Sequence, residues 1–92
     1  MREKIQLKPH EGSEYFSLDP DIVLEKGDRV IIEIDHEKRS ATWMIVPEGE
    51  NPGNFVPEDD DYDRVIMFLY ERDYHTPDII AARKSQVGWD DR

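Results

Sequence analysis

Gly27-Asp28-Arg29-Val30-Ile31-Ile32-Glu33-Ile34-Asp35, separated by His36-Glu37-Lys38-Arg39 from Ser40-Ala41-Thr42-Trp43-Met44-Ile45-Val46-Pro47, is the stretch that decides the fold. Joining Asp35 to Ser40 across the loop of His36 to Arg39 sets Val30 opposite Ile45, Ile32 opposite Trp43 and Ile34 opposite Ala41. Opposed residues of an antiparallel pair share a face and successive residues alternate between faces, so all six side chains lie together. That face is apolar throughout. The other pairs Arg29 with Val46, Glu33 with Thr42 and Asp35 with Ser40, with Ile31 and Met44 as its one apolar pair. A slip of one residue would turn Trp43 outward, so a single register is specified. This β-hairpin, about residues 29–46, is the nucleus from which the rest of the chain is read.

Ninety-two residues make one domain, 1–92, with one modest core. Apolar and charged residues each make up 37% of the chain, but two Trp, four Tyr and three Phe supply large groups to bury, which predicts a folded domain with solvated acidic segments. Twenty-two acidic residues against twelve basic ones give a net charge of −10. Such a field opposes nucleic acid and anionic membranes and speeds encounter with a cationic partner. With no cysteine, disulfides, thiolate nucleophiles and Cys-ligated zinc are excluded, which fits a reducing compartment. Met1-Arg2-Glu3-Lys4 opens no apolar leader, and no apolar run approaches membrane-spanning length, so a soluble cytoplasmic protein is expected.

Upstream of the hairpin, Lys4-Ile5-Gln6-Leu7-Lys8 alternates as a short edge strand whose lysines discourage edge-to-edge pairing. Tyr15-Phe16-Ser17-Leu18 reads as a second short strand or as two rings laid on the core, with both rings buried. Asp19-Pro20-Asp21 has the residues of a turn or helix start, followed by about one turn over Ile22-Val23-Leu24 and a tight turn at Gly27-Asp28. Downstream, Pro47 to Gly53 is a loop, and Asn54-Phe55-Val56 is expected to return as a strand. The acidic run Glu58 to Asp63 divides a β-rich half, 1–56, from a helical half, 64–88, through an acidic link, 57–63, and leaves an acidic tail, 89–92. Arg64 to Arg72 carries a continuous apolar run compatible with a buried strand, but the aspartates before it suit a helix N-terminus, and Tyr62, Val65, Ile66 and Leu69 fall on one helical stripe. Helix is the preferred reading. Thr76-Pro77-Asp78 starts a second helix over Ile79 to Gln86, with Gly88 as its stop. The fold class is therefore α+β, a small antiparallel sheet of about four strands from the first 56 residues with two C-terminal helices packed on it.

Chemistry-bearing motifs are few. Asp59, Asp61 and Asp63 have the one-three-five spacing of a calcium loop, but Arg64 stands where such a loop needs Gly and Tyr70 where it needs Glu. His10, His36 and His75 show no paired spacing; His75 with Asp73 and Asp78 is the one mixed-ligand combination, and a helix-cap role suits it better. Ser13, Ser17, Ser40 and Ser85 lack a nucleophile context, and the glycines form no phosphate loop. No catalytic residue, metal ligand or cofactor is assigned from the sequence.

Two resemblances bear on function. Asp63-Arg64-Val65-Ile66 through Leu69, then Thr76 with Ile80-Ala81, resembles the first two helices of a winged helix-turn-helix domain, but only Val87 to Arg92, with Asp90 and Asp91, stand where its recognition helix belongs. Ser17 to Ile22, then Leu24-Glu25-Lys26-Gly27-Asp28-Arg29-Val30, is similar over about thirty residues to the short helix, Gly-Asp turn and hairpin of AbrB or MazE-type swapped-hairpin domains. That resemblance implies an antitoxin or transcriptional regulator working as a swapped dimer, although basic residues are few before Gly27. Read from charge and motifs alone, the chain is a non-enzymatic binding protein of the inhibitor, immunity or accessory-subunit type. It would dock a protein partner, a basic one by charge, through Asp59, Asp60, Asp61 and Asp63 and the aromatics Tyr62 and Trp89, both expected to be exposed. A small-molecule or metal-binding domain is the remaining alternative.

Overall fold

The computed structural model describes residues 2–9 and 13–87. Its centre is the hairpin of β4 (Arg29–Asp35) and β5 (Ser40–Val46), paired from Arg29 with Val46 to Asp35 with Ser40, the register that the alternation predicts. The Asp35 carboxylate secures the turn by accepting the backbone N–H groups of Glu37 and Lys38, each at 3.1 Å. The Lys38 N–H is the main reason its carboxyl lies below the usual aspartate value, against a smaller opposing effect of desolvation. Arg39 closes the loop with a left-handed φ of 54°. β1 (Arg2–Leu7) flanks β4, with Ile5 opposite Ile32 and Leu7 opposite Val30, and β6 (Glu58–Asp60) flanks β5, giving an antiparallel sheet ordered β1-β4-β5-β6.

One face of this sheet carries the core. Ile5, Leu7, Val30, Ile32, Ile34, Ala41 and Trp43 are buried there. They are covered by α1 (Tyr62–Glu71), α2 (Pro77–Val87) and a separate two-stranded hairpin of β2 (Glu14–Phe16) and β3 (Asp19–Leu24). α1 presents the expected stripe of Tyr62, Val65, Ile66 and Leu69, with Phe68 beside it, all buried. Phe16 stands edge-on to both Trp43 and Phe68, with ring centroids at 4.9 and 5.6 Å, and locks the small hairpin onto sheet and helix. Arg72 reaches from the end of α1 to Glu14 at 3.1 Å, and Arg64 donates to the carbonyl of Leu18. The fold is α+β. No helix among the described residues is long and apolar enough to cross a membrane.

Three local expectations change. Asp19–Leu24 is a strand, not a helical turn: its register against β2 shifts between Tyr15 and Phe16, so Pro20, which has no N–H to give, sits where the ladder is interrupted. Asp19 still makes its turn-type contact, accepting the N–H of Asp21 at 3.2 Å, but inside a bulged strand. The same hairpin turns Tyr15 outward, 76% exposed, while Phe16 goes in, because adjacent strand residues face opposite ways. Asn54-Phe55-Val56 does not return as a strand: Pro52–Asn54 is a 3₁₀ turn, and the strand that completes the sheet is Glu58–Asp60, the first part of what composition marks as a link.

Both helix starts follow the sequence signals. Asp61 caps α1, accepting the N–H groups of Asp63 and Arg64 at 2.9 and 3.4 Å. Thr76 caps α2, with its hydroxyl 3.4 Å from the N–H of Ile79 and Pro77 in the first position. α1 ends with Asp73 at φ 67° and Tyr74 N–H bonded to the Leu69 carbonyl at 3.0 Å. Gly88, the expected stop of α2, lies outside the described residues.

Candidate functional site

The acidic run is divided between structure and solvent. Asp60 points inward and accepts the indole N–H of Trp43 at 2.8 Å, with Arg64 at 3.4 Å. Asp61 is consumed as the α1 cap. Asp63, exposed, pairs with Arg39 at 3.1 Å and lies 3.4 Å from the side-chain amide of Gln86. Tyr62, expected on the surface, is 7% exposed. The cause is its place at the start of the buried α1 stripe, where its hydroxyl meets His36 Nδ1 at 2.7 Å. Burial pushes its phenol above the ordinary value, with the Arg39 guanidinium opposing and Asp63, Asp78 and Glu3 adding to the rise. Glu58 and Asp59 remain exposed, Asp59 opposite Thr42 on β5. Trp89 lies outside the described residues. Among the described residues, those singled out from sequence thus divide between buried and exposed positions.

A different place gathers the features of a docking site. β6 is three residues long against seven for β5, and its ladder ends where Glu58 faces Trp43. Pro57 precedes it and has no N–H to continue the pairing. The outer edge of Met44-Ile45 therefore has no strand beside it among the described residues, and the backbone N–H and C=O of one of the two face outward, whereas Val46 is fully buried. A cleft of about 230 Å³ runs along this edge. Trp43, Met44 and Ile45 line it on β5; Ile22 and Asp19 on β3; Phe55 and Val56 on the connection into β6, and Glu58 at the start of that strand. Val56 is 85% exposed, an unusual place for a branched apolar side chain beside Phe55. The only charged residues in the lining are two carboxylates, Asp19 and Glu58.

The larger cleft, about 600 Å³, contrasts with it. There Lys8, Lys26 and Arg29 face Glu48 and Glu50, and the Arg29 guanidinium already donates to the Glu50 carbonyl at 2.7 Å. Both signs of charge are mixed and apolar side chains are few, so this cleft has no single chemistry to recognise. Sequence reading missed the β5-edge cleft because its walls come from three distant segments. The one signal available was the mismatch between a seven-residue strand and the short stretch between Pro57 and the helix that can pair with it. Of the segments that resemble swapped-hairpin domains, Ser17–Ile22 is turn and strand, not helix, and within this chain β4 pairs outward with β1 and the Ala41–Trp43 part of β5 with β6. Searches against protein-family models, curated proteins and solved structures found no match to this chain.

Proposed function

We propose that this protein is a small binding module that docks a protein partner by taking an extended segment of it along the open half of β5. The observation that carries the reading is the unpaired edge of Met44 and Ile45 lying in an apolar cleft whose only charges are Asp19 and Glu58. An added strand would satisfy the outward-facing backbone groups, and alternate side chains would enter the cleft, the usual division of labour between affinity and specificity in strand addition. The carboxylate rim and the net charge of −10 favour a segment that alternates apolar residues with Lys or Arg. Inhibitor, immunity and accessory-subunit roles are all compatible with such docking. The exposed Asp59 and Glu58 contribute by drawing the partner in, and the rest of the acidic run by building the helix start beside it.

Selection of binders from a random peptide library displayed on phage tests this directly. Enriched sequences should alternate apolar and basic residues, bind more weakly as salt rises, and lose binding to Asp19→Lys/Glu58→Lys and to Val56→Asp while keeping it for a charge reversal remote from the cleft, Glu71→Lys. A set of binders indifferent to all three cleft substitutions would remove this edge from the function.

A further inference from the structure

Glu3 in β1, His36 in the β4–β5 turn and Asp78 in the first turn of α2 each place one donor atom within 4.8 Å of the other two. The geometry points to a binding site for one divalent cation of the zinc class, held by His36 Nε2 and the carboxylates of Glu3 and Asp78. This site is independent of the β5 cleft. It escapes any spacing motif because its members come from three elements far apart in the chain. His75, the histidine that sequence places near Asp78, is not among them: its ring lies against Tyr70, with centroids 4.4 Å apart.

The imidazole is already set for the task. Its Nε2 is 2.6 Å from Glu3 Oε1 and its Nδ1 2.7 Å from the Tyr62 hydroxyl, with the side chains of His36 and Glu3 only 13% and 18% exposed. With the ring neutral, Nε2–H donates to Glu3 and Tyr62 O–H donates to Nδ1. On metal binding the ring proton moves to Nδ1 and Tyr62 becomes its acceptor, so the Nδ1–Tyr62 bond is kept with its direction reversed, while the Nε2–H bond to Glu3 is given up in exchange for bonds from both groups to the ion. An outer partner that fixes the ring in this way is what a ligating histidine requires. Donor atoms around one zinc-class ion stand roughly 3–4 Å apart, so Glu3 and His36 need to part by about 1 Å to admit it.

A tie made only of Glu3, His36 and Tyr62 would be complete without Asp78. Asp78 adds a second carboxylate beside Glu3, and two carboxylates so close repel unless a cation lies between them; the N-terminus of α2 offsets only part of that. One imidazole with two carboxylates suits a borderline ion such as Zn²⁺ better than Ca²⁺ or Mg²⁺, which favour all-oxygen sets. Three protein ligands leave a fourth position for water or an outside donor. Thr76 Oγ1, 3.2 Å from Glu3 Oε1, holds that carboxylate in place.

Calorimetric titration of the chelator-treated full chain with Zn²⁺ tests the site, alongside His36→Gln and Asp78→Asn. One-to-one binding at micromolar Kd or tighter is expected in the unaltered chain, with a metal-dependent rise in Tm, and with affinity lowered about tenfold or more by each substitution. Asp78→Asn leaves the Glu3–His36–Tyr62 chain intact, so it keeps the test valid if His36→Gln fails to fold. Absence of saturable Zn²⁺ binding, or an affinity unchanged in Asp78→Asn, overturns the proposal.

Discussion

Asp59 and Asp60 are neighbours of identical chemistry whose replacement should have very different effects. Trp43 is 6% exposed at the centre of the core, and its indole N–H has one acceptor, Asp60 Oδ2 at 2.8 Å. Asp60→Ala leaves that donor buried and unpaired, which costs about 1.5–3 kcal/mol for a bond to a charged acceptor. The Arg64 contact at 3.4 Å adds at most a few tenths of a kcal/mol, since the Arg64 side chain is 47% exposed. Asp60→Ala should therefore destabilise by about 2–3 kcal/mol. Asp59→Ala, on the exposed side of the same strand, should stay within about 0.5 kcal/mol. Both remove one negative charge from a total of −10, so long-range charge effects cancel in the comparison. With a urea slope of about 1–1.5 kcal/mol/M for a small domain, the midpoint of Asp60→Ala should fall by roughly 2 M. Urea titration followed by far-UV circular dichroism, with tryptophan fluorescence as second probe, measures it. Asp60→Asn, which keeps an oxygen acceptor, should fall between the two. If Asp60→Ala and Asp59→Ala agreed within about 0.5 kcal/mol, the account of Asp60 as the partner of Trp43 would be wrong.

Three further outcomes follow from the geometry. Tyr62→Phe should cost about 1 kcal/mol at neutral pH, through the lost bond to His36. Because burial raises the folded-state phenol above 10.0, the intact protein holds this stability below pH 10 and loses it as pH rises through the folded value, so the gap between the two proteins should narrow in alkaline denaturation curves. Gly27→Ala should destabilise by about 1–3 kcal/mol in chemical denaturation, since Gly27 has φ +96° and an added Cβ would stand 2.9 Å from the Cβ of Glu48. Asp73→Gly should raise stability by about 0.5–1 kcal/mol in the same assay, because Asp73 closes α1 in the left-handed region at φ 67°.

The sequence was most legible where one pattern sufficed. Strand alternation fixed the β4–β5 register, and the stripe from Tyr62 to Leu69 with Asp61 before it marked α1 as helix. It was least legible where one set of residues serves two ends. Asp19-Pro20-Asp21 begins helices as readily as it forms a bulged strand, and only the pairing with β2 decides. Glu58-Asp59-Asp60 has poor strand propensity and joins the sheet because Trp43 needs an acceptor and α1 needs a cap at the next residue, demands that come from elsewhere in the chain. Tyr15 and Tyr62 exchanged their expected places for the same reason: neighbours in three dimensions, not local composition, set which ring is covered. The β5-edge cleft and the Glu3–His36–Asp78 cluster each draw on three separate segments, so neither leaves a spacing to read.

The two edge strands reach the central hairpin across connections that differ about twofold in length, residues 8–28 for β1, which include the β2–β3 hairpin, and 47–57 for β6. Chain entropy penalises the longer closure by only about 0.6 kcal/mol. What each strand brings to the core differs far more: β1 delivers Ile5 and Leu7, whereas β6 delivers carboxylates alone. The sheet is thus lopsided in cohesion, anchored on its β1 side and lightly held on its β6 side. Amide protons protected by the β5–β6 ladder should exchange through local openings far less costly than global unfolding. In those openings the whole length of β5, and not only its uncovered half, would be briefly available to an incoming strand.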